Sequence, residues 1–181
     1  DYALYVTAGC SETALDNCPD SPVMDGGFEV IVNNPWWETY SDNFDTVLYG
    51  EFMGESSVTV PYQGNAFLWF GGIAGTEESG YARQRVVIPE SHGELRFFMK
   101  VQGGLTPGWM RVILDDDLLF EVTHEDVDLY WPARYKQVTL DISAYADGEE
   151  HLLGFESLTA AGDSALNFLV DAVCITGEPI P

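Results

Sequence analysis

Basic side chains are scarce in this sequence of 181 residues: seven Lys and Arg stand against 30 Asp and Glu, a formal net charge of −23 at pH 7. All seven lie between Arg83 and Lys136, so residues 1–82 and 137–181 contain none. A surface with this charge repels phosphate backbones and anionic lipid headgroups, so we expect no nucleic-acid partner. No apolar run approaches the roughly 18 residues of a membrane span, so we expect no membrane insertion.

Cysteine is also scarce, with residues at positions 10, 18 and 174. Cys10 and Cys18 bracket a polar loop, and in an exported protein this arrangement predicts a disulfide between them. Cys174 lies within an apolar stretch, and we interpret it as a small buried side chain. The three histidines show no ligand spacing with any cysteine, which argues against a zinc site.

The sequence contains none of the short motifs that mark common catalytic sites: no Gly-x-Ser-x-Gly elbow, no His-Glu-x-x-His and no phosphate loop. Two neighbouring carboxylates can hydrolyse a glycosidic bond, but 30 acidic residues bring some pair together by chance. We therefore predict a protein that is not an enzyme.

Short apolar runs separated by turn residues are abundant, in a chain that is 46% hydrophobic and 13% aromatic. In residues 95–102, for example, apolar and mostly polar side chains alternate, as in a strand with one face buried and the other mostly wet. The pattern predicts an all-β sandwich or barrel, with residues 23–181 as its domain and residues 1–22 as an N-terminal extension. The predicted strands cover residues 2–7, 28–32, 44–49, 57–62, 66–70, 81–88, 94–102, 109–115, 118–122, 135–141, 151–157 and 166–175.

Five segments occur in an order that is typical of one group of β-sandwiches. They are Met-Asp-Gly-Gly-Phe-Glu at 24–29, Gly-Asn-Ala-Phe-Leu-Trp-Phe-Gly-Gly at 64–72, and the segments 82–89, 135–146 and 167–173. Together they resemble the calcium-binding β-jelly rolls of the galactose-binding-like class. That class includes many carbohydrate-binding modules and domains of bacterial and archaeal surface proteins. The resemblance implies an antiparallel jelly-roll fold but leaves the function open, because such folds have many roles.

The resemblance also implies a structural Ca²⁺ site. Its ligands are expected to be Glu29 and Asp171, with Asp25 adding a carbonyl or carboxylate oxygen, although Asn is usual in place of Asp25. Calcium takes six to eight oxygen ligands, and two carboxylates from distant parts of the chain would join the first strand to the last. The alternative is that these acids face water or cap a turn.

Exposed aromatic side chains are the second candidate for a site. Trp36, Trp37, Trp109 and Trp131 lie in or beside predicted loops, where indole rings can stack against sugar rings. The alternative for each is ordinary packing, because Trp is usually largely buried.

Two acidic runs are better explained by local structure than by a metal. Residues 115–117, three consecutive Asp, favour a hairpin turn because neighbouring side chains diverge. Residues 125–128 are interpreted as a solvated loop. Residues 142–147 are expected to form a single helical turn.

The N-terminal extension carries the third candidate. Its predicted strand has apolar side chains at Tyr2, Leu4 and Val6, and such a strand can complete its own sheet or add to that of another copy. Addition from copy to copy would generate an open filament. The chain starts at Asp1, as a mature secreted protein does after removal of a signal peptide, so we expect an extracellular or cell-surface location.

Two functions follow from these observations. The first, which we favour narrowly, is a structural or adhesive surface protein that assembles with copies of itself through its N-terminal strand. The second is a carbohydrate-binding module that holds polysaccharide on the loop aromatics.

Overall fold

Ten strands in the part of the chain that the structure describes form two five-stranded sheets. The computed structural model describes Cys18 and residues 20–50, 60–130 and 134–177. The strands are β1 (Glu38–Ser41), β2 (Leu48–Gly50), β3 (Ala66–Gly71), β4 (Glu78–Val87), β5 (Glu94–Gly103), β6 (Gly108–Leu114), β7 (Asp117–Thr123), β8 (Lys136–Asp141), β9 (Glu150–Thr159) and β10 (Leu166–Thr176). The first sheet has the order β1-β4-β9-β6-β7 and the second the order β2-β3-β10-β5-β8.

Every pairing within the two sheets is antiparallel, and the inner faces of the sheets pack against each other. Phe97 on β5 meets Phe155 on β9 edge-to-face across the sandwich, with ring centroids 5.4 Å apart. Trp37 packs on the same Phe155 and on Phe28, at 6.2 and 5.2 Å. The fold is therefore the all-β jelly-roll sandwich that the sequence predicts.

The strongest alternating patterns are confirmed as strands. On β5, Leu95, Phe97, Met99 and Val101 are fully buried, as the alternation predicts. Their neighbours Arg96 and Lys100 are only 7% exposed, so the prediction that this outer face is mostly wet is wrong. Side chains from outside the sheet cover this face: the ring of Tyr62 stacks on Phe98 with centroids 3.7 Å apart.

Some predicted strands are wrong or shorter. Residues 28–32 form a loop instead of a strand, and Phe28 has a φ of 59°. Only residues 48 and 49 of the predicted strand 44–49 lie in β2, and residues 60–62 are not in a strand. β1 was not predicted, because Glu38–Ser41 has no run of alternating apolar side chains. The predicted strand 2–7 and residues 57–59 lie outside the described residues.

The turn predictions are mostly confirmed. A tight turn at residues 115–116 joins β6 to β7, and Ser143–Tyr145 form a single 3₁₀ turn. The solvated loop expected at residues 125–128 is instead helical. A 3₁₀ turn over His124–Asp126 leads into a short helix, α1 (Val127–Tyr130). Thr123 caps the start of this helical segment. Its hydroxyl accepts a hydrogen bond from a backbone amide of the first turn, and the Asp126 carboxylate accepts one from the Thr123 amide.

The disulfide prediction is wrong, because Cys18 pairs with Cys174 and not with Cys10. The chain from Cys18 onwards lies beside the end of β10, which brings the two Cα atoms to 6.1 Å. The Ile175 amide donates to the Ser21 hydroxyl at 3.1 Å, and the Val173 amide donates to the Gly26 carbonyl at 2.8 Å. Cys174 is thus half of a cross-link rather than a free buried thiol, and Cys10 lies outside the described residues.

The helices of the described chain give no candidate for a membrane span, since none is long and apolar enough to cross a bilayer.

Replacing Cys174 by Ser should lower the free energy of unfolding by about 2–5 kcal/mol, because the disulfide closes a long loop in the unfolded chain. Denaturant titration of both proteins measures the difference. Cys10→Ser is the matched control and should leave the stability unchanged. Peptide mapping without reductant should recover a Cys18–Cys174 peptide, and a Cys10–Cys18 peptide in its place would contradict the assignment.

Candidate functional site

The outer face of the first sheet presents a continuous set of polar and aromatic side chains. Side chains alternate along β4, so that Ala82, Gln84 and Val86 are buried while Arg83 and Arg85 point outwards. The register places Glu38 of β1, Arg83 of β4, Gly154 of β9 and Ile113 of β6 in one row across the sheet. The next row contains Tyr40, Tyr81, Glu156, Arg111 and Glu121.

Three of the seven basic residues lie on this face, and each pairs with a glutamate. Arg83 pairs with Glu156, Arg85 with Glu150 at 3.1 Å, and Arg111 with Glu121 at 2.6 Å. These pairs are at least partly exposed, so they contribute little to stability but fix the guanidinium positions. The face therefore offers both hydrogen-bond donors and acceptors in fixed positions.

Two of these guanidinium groups also lie over aromatic rings. The Arg83 guanidinium carbon is 4.3 Å from the centre of the Tyr81 ring, and that of Arg111 is 4.1 Å from the Trp109 ring. Cation–π contacts of this kind hold the long arginine side chains flat against the sheet. Tyr40 stacks on Tyr81 at 5.6 Å, which extends the aromatic surface towards β1.

Two adjoining depressions cross this face. The larger has a volume of about 520 Å³ and is lined by Trp36, Glu38, Arg83, Arg85 and Leu152, among others. The smaller has about 250 Å³, and its lining residues include Arg83, Leu152, Gly154, Asp115 and Asp116. Arg83 and Leu152 border both depressions, so we treat the two as one feature, the Arg83 groove.

The structure separates the tryptophans that the sequence grouped. The Asn34 side-chain oxygen accepts from the amides of both Trp36 and Trp37, at 3.0 Å each, and fixes the loop before β1. Trp36 is 39% exposed and lines the Arg83 groove. Trp37 is 3% exposed and its indole N–H donates to the carbonyls of Met24 and Asp25, so it belongs to the core and its prediction as a sugar platform is wrong.

Of the other predicted sugar-binding residues, Trp109 lies on the same sheet face, near its far end, and is partly exposed. Trp131 lies outside the described residues. Sequence reasoning missed Arg83, Arg85 and Gly154. The spacing of Arg83 and Arg85 in a predicted strand could have identified a shared face, but nothing in the sequence marks that face as open.

Of the three predicted Ca²⁺ ligands, Glu29 lies close enough to both Asp171 and Asp25 for its charge to act on theirs. The Asp171 carboxylate accepts from the amides of Tyr62 and Gln63 at 2.8 and 2.9 Å, and Glu29 accepts from that of Asn65 at 2.9 Å. Burial raises the pKa of Asp171 to about 7, and the charge of Glu29 adds to the rise. The two carboxylates thus hold one loop between them, and no ion pair to either is found among the described residues.

Asp25 has a different role, because its carboxylate organises the loop that follows it. It accepts from the amides of Glu29 and Val30 at 2.8 and 3.2 Å and from the Asn34 side chain at 2.8 Å. Burial raises the pKa of Asp25, and these hydrogen bonds act against the rise. Within the described ranges no group of three or more His, Cys, Asp or Glu could hold a metal ion. A cation here would therefore depend on Glu29 and Asp171 together with backbone oxygens.

A third depression, of about 330 Å³, lies at the edge of the second sheet and is lined by Phe44, Thr46, Tyr49, Trp69 and two glycines, among others. Its polar groups are engaged elsewhere: the Trp69 indole N–H donates to Asn167 at 2.7 Å, and the Thr46 hydroxyl contacts that of Thr39 at 2.8 Å. An apolar wall with few available hydrogen bonds suits a polar ligand less well than the Arg83 groove does.

One end of the Arg83 groove is fixed by a histidine held between two carboxylates. His151 Nδ1 lies 2.8 Å from Asp115 Oδ2, and Nε2 lies 3.1 Å from Asp147 Oδ1. Asp115 also accepts from the Leu152 amide at 2.8 Å. The two acceptors raise the pKa of His151, because only the imidazolium can donate from both nitrogens. The hydrogen bond from His151 lowers the pKa of Asp115, while the Glu149 amide and then His151 lower that of Asp147.

The predicted assembly residues Tyr2, Leu4 and Val6 lie outside the described residues, so the addition of this strand to another copy stays a prediction.

Solved structures with the same architecture are found at low sequence identity. The carbohydrate-binding module TmCBM61, in complex with β-1,4-galactotriose, is 14% identical with a TM-score of 0.57, and the match covers 87% of this chain and 99% of that one. Two cleaved adhesin domains of Lys-gingipain from Porphyromonas gingivalis each have 14% identity and a TM-score of 0.50. The matches cover 79% and 78% of this chain, and 91% and 90% of those domains. At these identities the similarity shows the fold alone.

No protein-family profile matches the sequence, and no curated protein matches it.

Stability should depend on pH through His151. The pKa of His151 is higher in the folded protein than in the unfolded chain, where it is about 6.5. Its contribution to the free energy of unfolding is therefore complete below about pH 6.5 and is lost as the pH rises through the pKa of the folded state. The lowered pKa values of Asp115 and Asp147 add stability above about pH 4 that is lost in acid. His151→Gln should therefore cost about 0.5–1 kcal/mol at pH 6 and less at pH 9, since water screens the half-exposed acids.

Urea denaturation of both proteins at the two pH values measures this difference. A variant with the same deficit at pH 6 and pH 9 would show that His151 acts by packing and not by its charge.

Proposed function

We propose that this protein is a carbohydrate-binding module that holds a glycan in the Arg83 groove on the outer face of the first sheet. The proposal favours the second of the two functions expected from the sequence. The disulfide and the acidic surface suit conditions outside the cytoplasm, so the proposal includes an extracellular or cell-surface location.

The observation that carries the proposal is the composition of the groove. An exposed indole, Trp36, stands beside a partly exposed guanidinium–carboxylate pair, Arg83 with Glu156. Sugar rings have apolar C–H faces that pack on aromatic rings and hydroxyl groups that need donors and acceptors in fixed positions. The groove supplies both on a rigid sheet, which needs little reordering when a ligand binds.

The dimensions of the face also support an extended ligand. The two depressions that form the groove have volumes of about 520 and 250 Å³, within the range of small-molecule sites or below it. Trp109 lies on the same face beyond Tyr81, towards the opposite end of the strands from Arg85. A chain of several sugar units can therefore contact the sheet at more than one aromatic residue.

Trp36→Ala should weaken binding to a retained polysaccharide by about tenfold, because the loss of one stacking contact of about 1–1.5 kcal/mol corresponds to that factor. Affinity electrophoresis against a panel of soluble polysaccharides identifies the ligand, and calorimetry with the matching oligosaccharide measures the change.

Phe44→Ala is the matched control, since Phe44 is a similarly exposed aromatic residue in the depression at the second sheet. It should bind as the parent protein does. If both substitutions weaken binding equally, or if only Phe44→Ala does, the glycan site does not lie in the Arg83 groove.

We also propose that Glu29 and Asp171 bind a structural Ca²⁺. The proposal is supported by two like charges that lie close together and have no basic partner among the described residues. A divalent cation would offset their repulsion and would join the loop after Phe28 to β10.

Addition of EDTA should then lower the midpoint of thermal unfolding by several degrees, and Ca²⁺ should restore it. Glu29→Gln should lower the midpoint and remove the response to EDTA. Glu90→Gln, an exposed acid elsewhere, is the control and should keep the full response. A parent protein whose midpoint does not change with EDTA would refute the cation site without affecting the glycan proposal.

A further inference from the structure

Gly154 occupies the middle of β9, the central strand of the first sheet. Its neighbours Leu153 and Phe155 are fully buried in the core, so position 154 belongs to the outer face. Glycine within a strand weakens the strand, because the unfolded chain gains conformational freedom and no side chain packs on the sheet. A glycine at this position therefore calls for a specific physical reason.

Backbone conformation does not supply that reason. In the described parts of the chain, positive φ is found at Gly64, Gly71, Gly72, Gly75, Gly103 and Gly148, and Gly154 is not among them. Any L-residue can adopt the backbone of Gly154 without strain.

Packing does not supply the reason either. A Cβ atom at position 154 would lie 3.6 Å from Arg83 Cγ and 3.9 Å from the Ile113 carbonyl oxygen, which are ordinary contact distances. The two other glycines in the strands of this sheet differ. A Cβ at Gly80 would lie 2.7 Å from Val47 Cγ1, and one at Gly108 would lie 2.8 Å from Leu166 Cδ2. Those two are required by the fold, whereas a side chain at 154 would fit.

A side chain at position 154 would extend into the smaller depression of the Arg83 groove. Gly154 lines it between Arg83 of β4 and Ile113 of β6, its partners in the sheet register. The backbone of Gly154, which is itself buried between these neighbours, forms the floor there, and a strand glycine often marks a place where a ligand approaches closely.

The charges around this floor define the ligand further. The lining contains one guanidinium group, from Arg83, and three carboxylates, from Asp115, Asp116 and Glu156. A carboxylate or sulfate on a sugar would meet this excess of negative charge at short range and would be repelled. Hydroxyl groups would find acceptors in the carboxylates and a donor in the guanidinium.

We infer that Gly154 is a specificity-determining residue that leaves room for an uncharged sugar unit over β9, between Arg83 and Ile113. The inference rests on the proposed carbohydrate-binding function and adds to it the charge class of the glycan and the residue that admits it.

The experiment uses Gly154→Ala and Gly154→Val, because stability and binding should change in opposite directions. The thermal midpoint should stay the same or rise, since both side chains restrict the unfolded chain more than glycine does, valine also favours strands, and the backbone accepts both. Binding to the neutral polysaccharide that the parent protein retains should fall, about tenfold for Val and less for Ala. Thr139→Val is the control, because it places the same valine side chain at an exposed strand position of the other sheet.

The probes are the neutral polysaccharides β-1,4-galactan, arabinoxylan and laminarin, and the uronate polymer polygalacturonate. Unchanged binding in a folded Gly154→Val protein would overturn the role of Gly154 while the proposed function survives. Retention of polygalacturonate at least equal to that of the neutral polymers would overturn the uncharged ligand class. A parent protein that retains none of the four would instead refute the proposed function itself. If the Val variant does not fold, the Ala variant decides the question by the same comparison.

Discussion

A single extra residue in β10 determines which side chains near the end of this strand face outwards and hold other segments of the chain. Between Asp171 and Cys174 the strand has one residue more than its partner β5, and the extra residue, Ala172, has a φ of 52°. In a regular strand, side chains three residues apart face opposite sides. The extra residue reverses this alternation from Val173 onwards, so that Val170 and Val173 both face the core. Asp171 and Cys174 then both point to the outer side, where one holds the loop after Val60 and the other holds the segment that begins at Cys18.

This arrangement makes the two outer faces different. On the second sheet, Tyr62 of the loop after Val60 stacks on Phe98, and other outer-face side chains are also shielded from water, since Leu169 is fully buried and Lys100 is 7% exposed. On the first sheet, the side chain of Arg85 keeps 68% of its exposure and Trp36 keeps 39%. The groove therefore lies on the sheet that the bulge leaves uncovered, and its position follows from the connections of β10 more than from the groove residues themselves.

The sequence predicts those features that depend on neighbouring residues. The strands β4, β5, β6 and β10 and the turns near residues 115–117 and 142–147 follow from local patterns, and they were identified correctly. Features that depend on distant segments were not. The pairing of Cys18 with Cys174 requires knowing that the two chain segments lie side by side. Likewise, nothing in the local sequence distinguishes Trp36 from Trp37, and only the packing of Trp37 on Phe28 and Phe155 shows that Trp37 faces the core.

The same distinction explains why the charge of −23 gave little guidance to the site. The total charge describes the long-range field, which repels polyanions and which salt screens within roughly 10 Å. At the groove the short-range arrangement matters more, because three arginines that are rare in the chain each meet a glutamate. An uncharged ligand does not experience the long-range field and encounters only the groups that line the groove, these pairs among them. The acidity of the surface is thus compatible with a glycan site, provided that hydroxyl groups and not charges are what the site recognises.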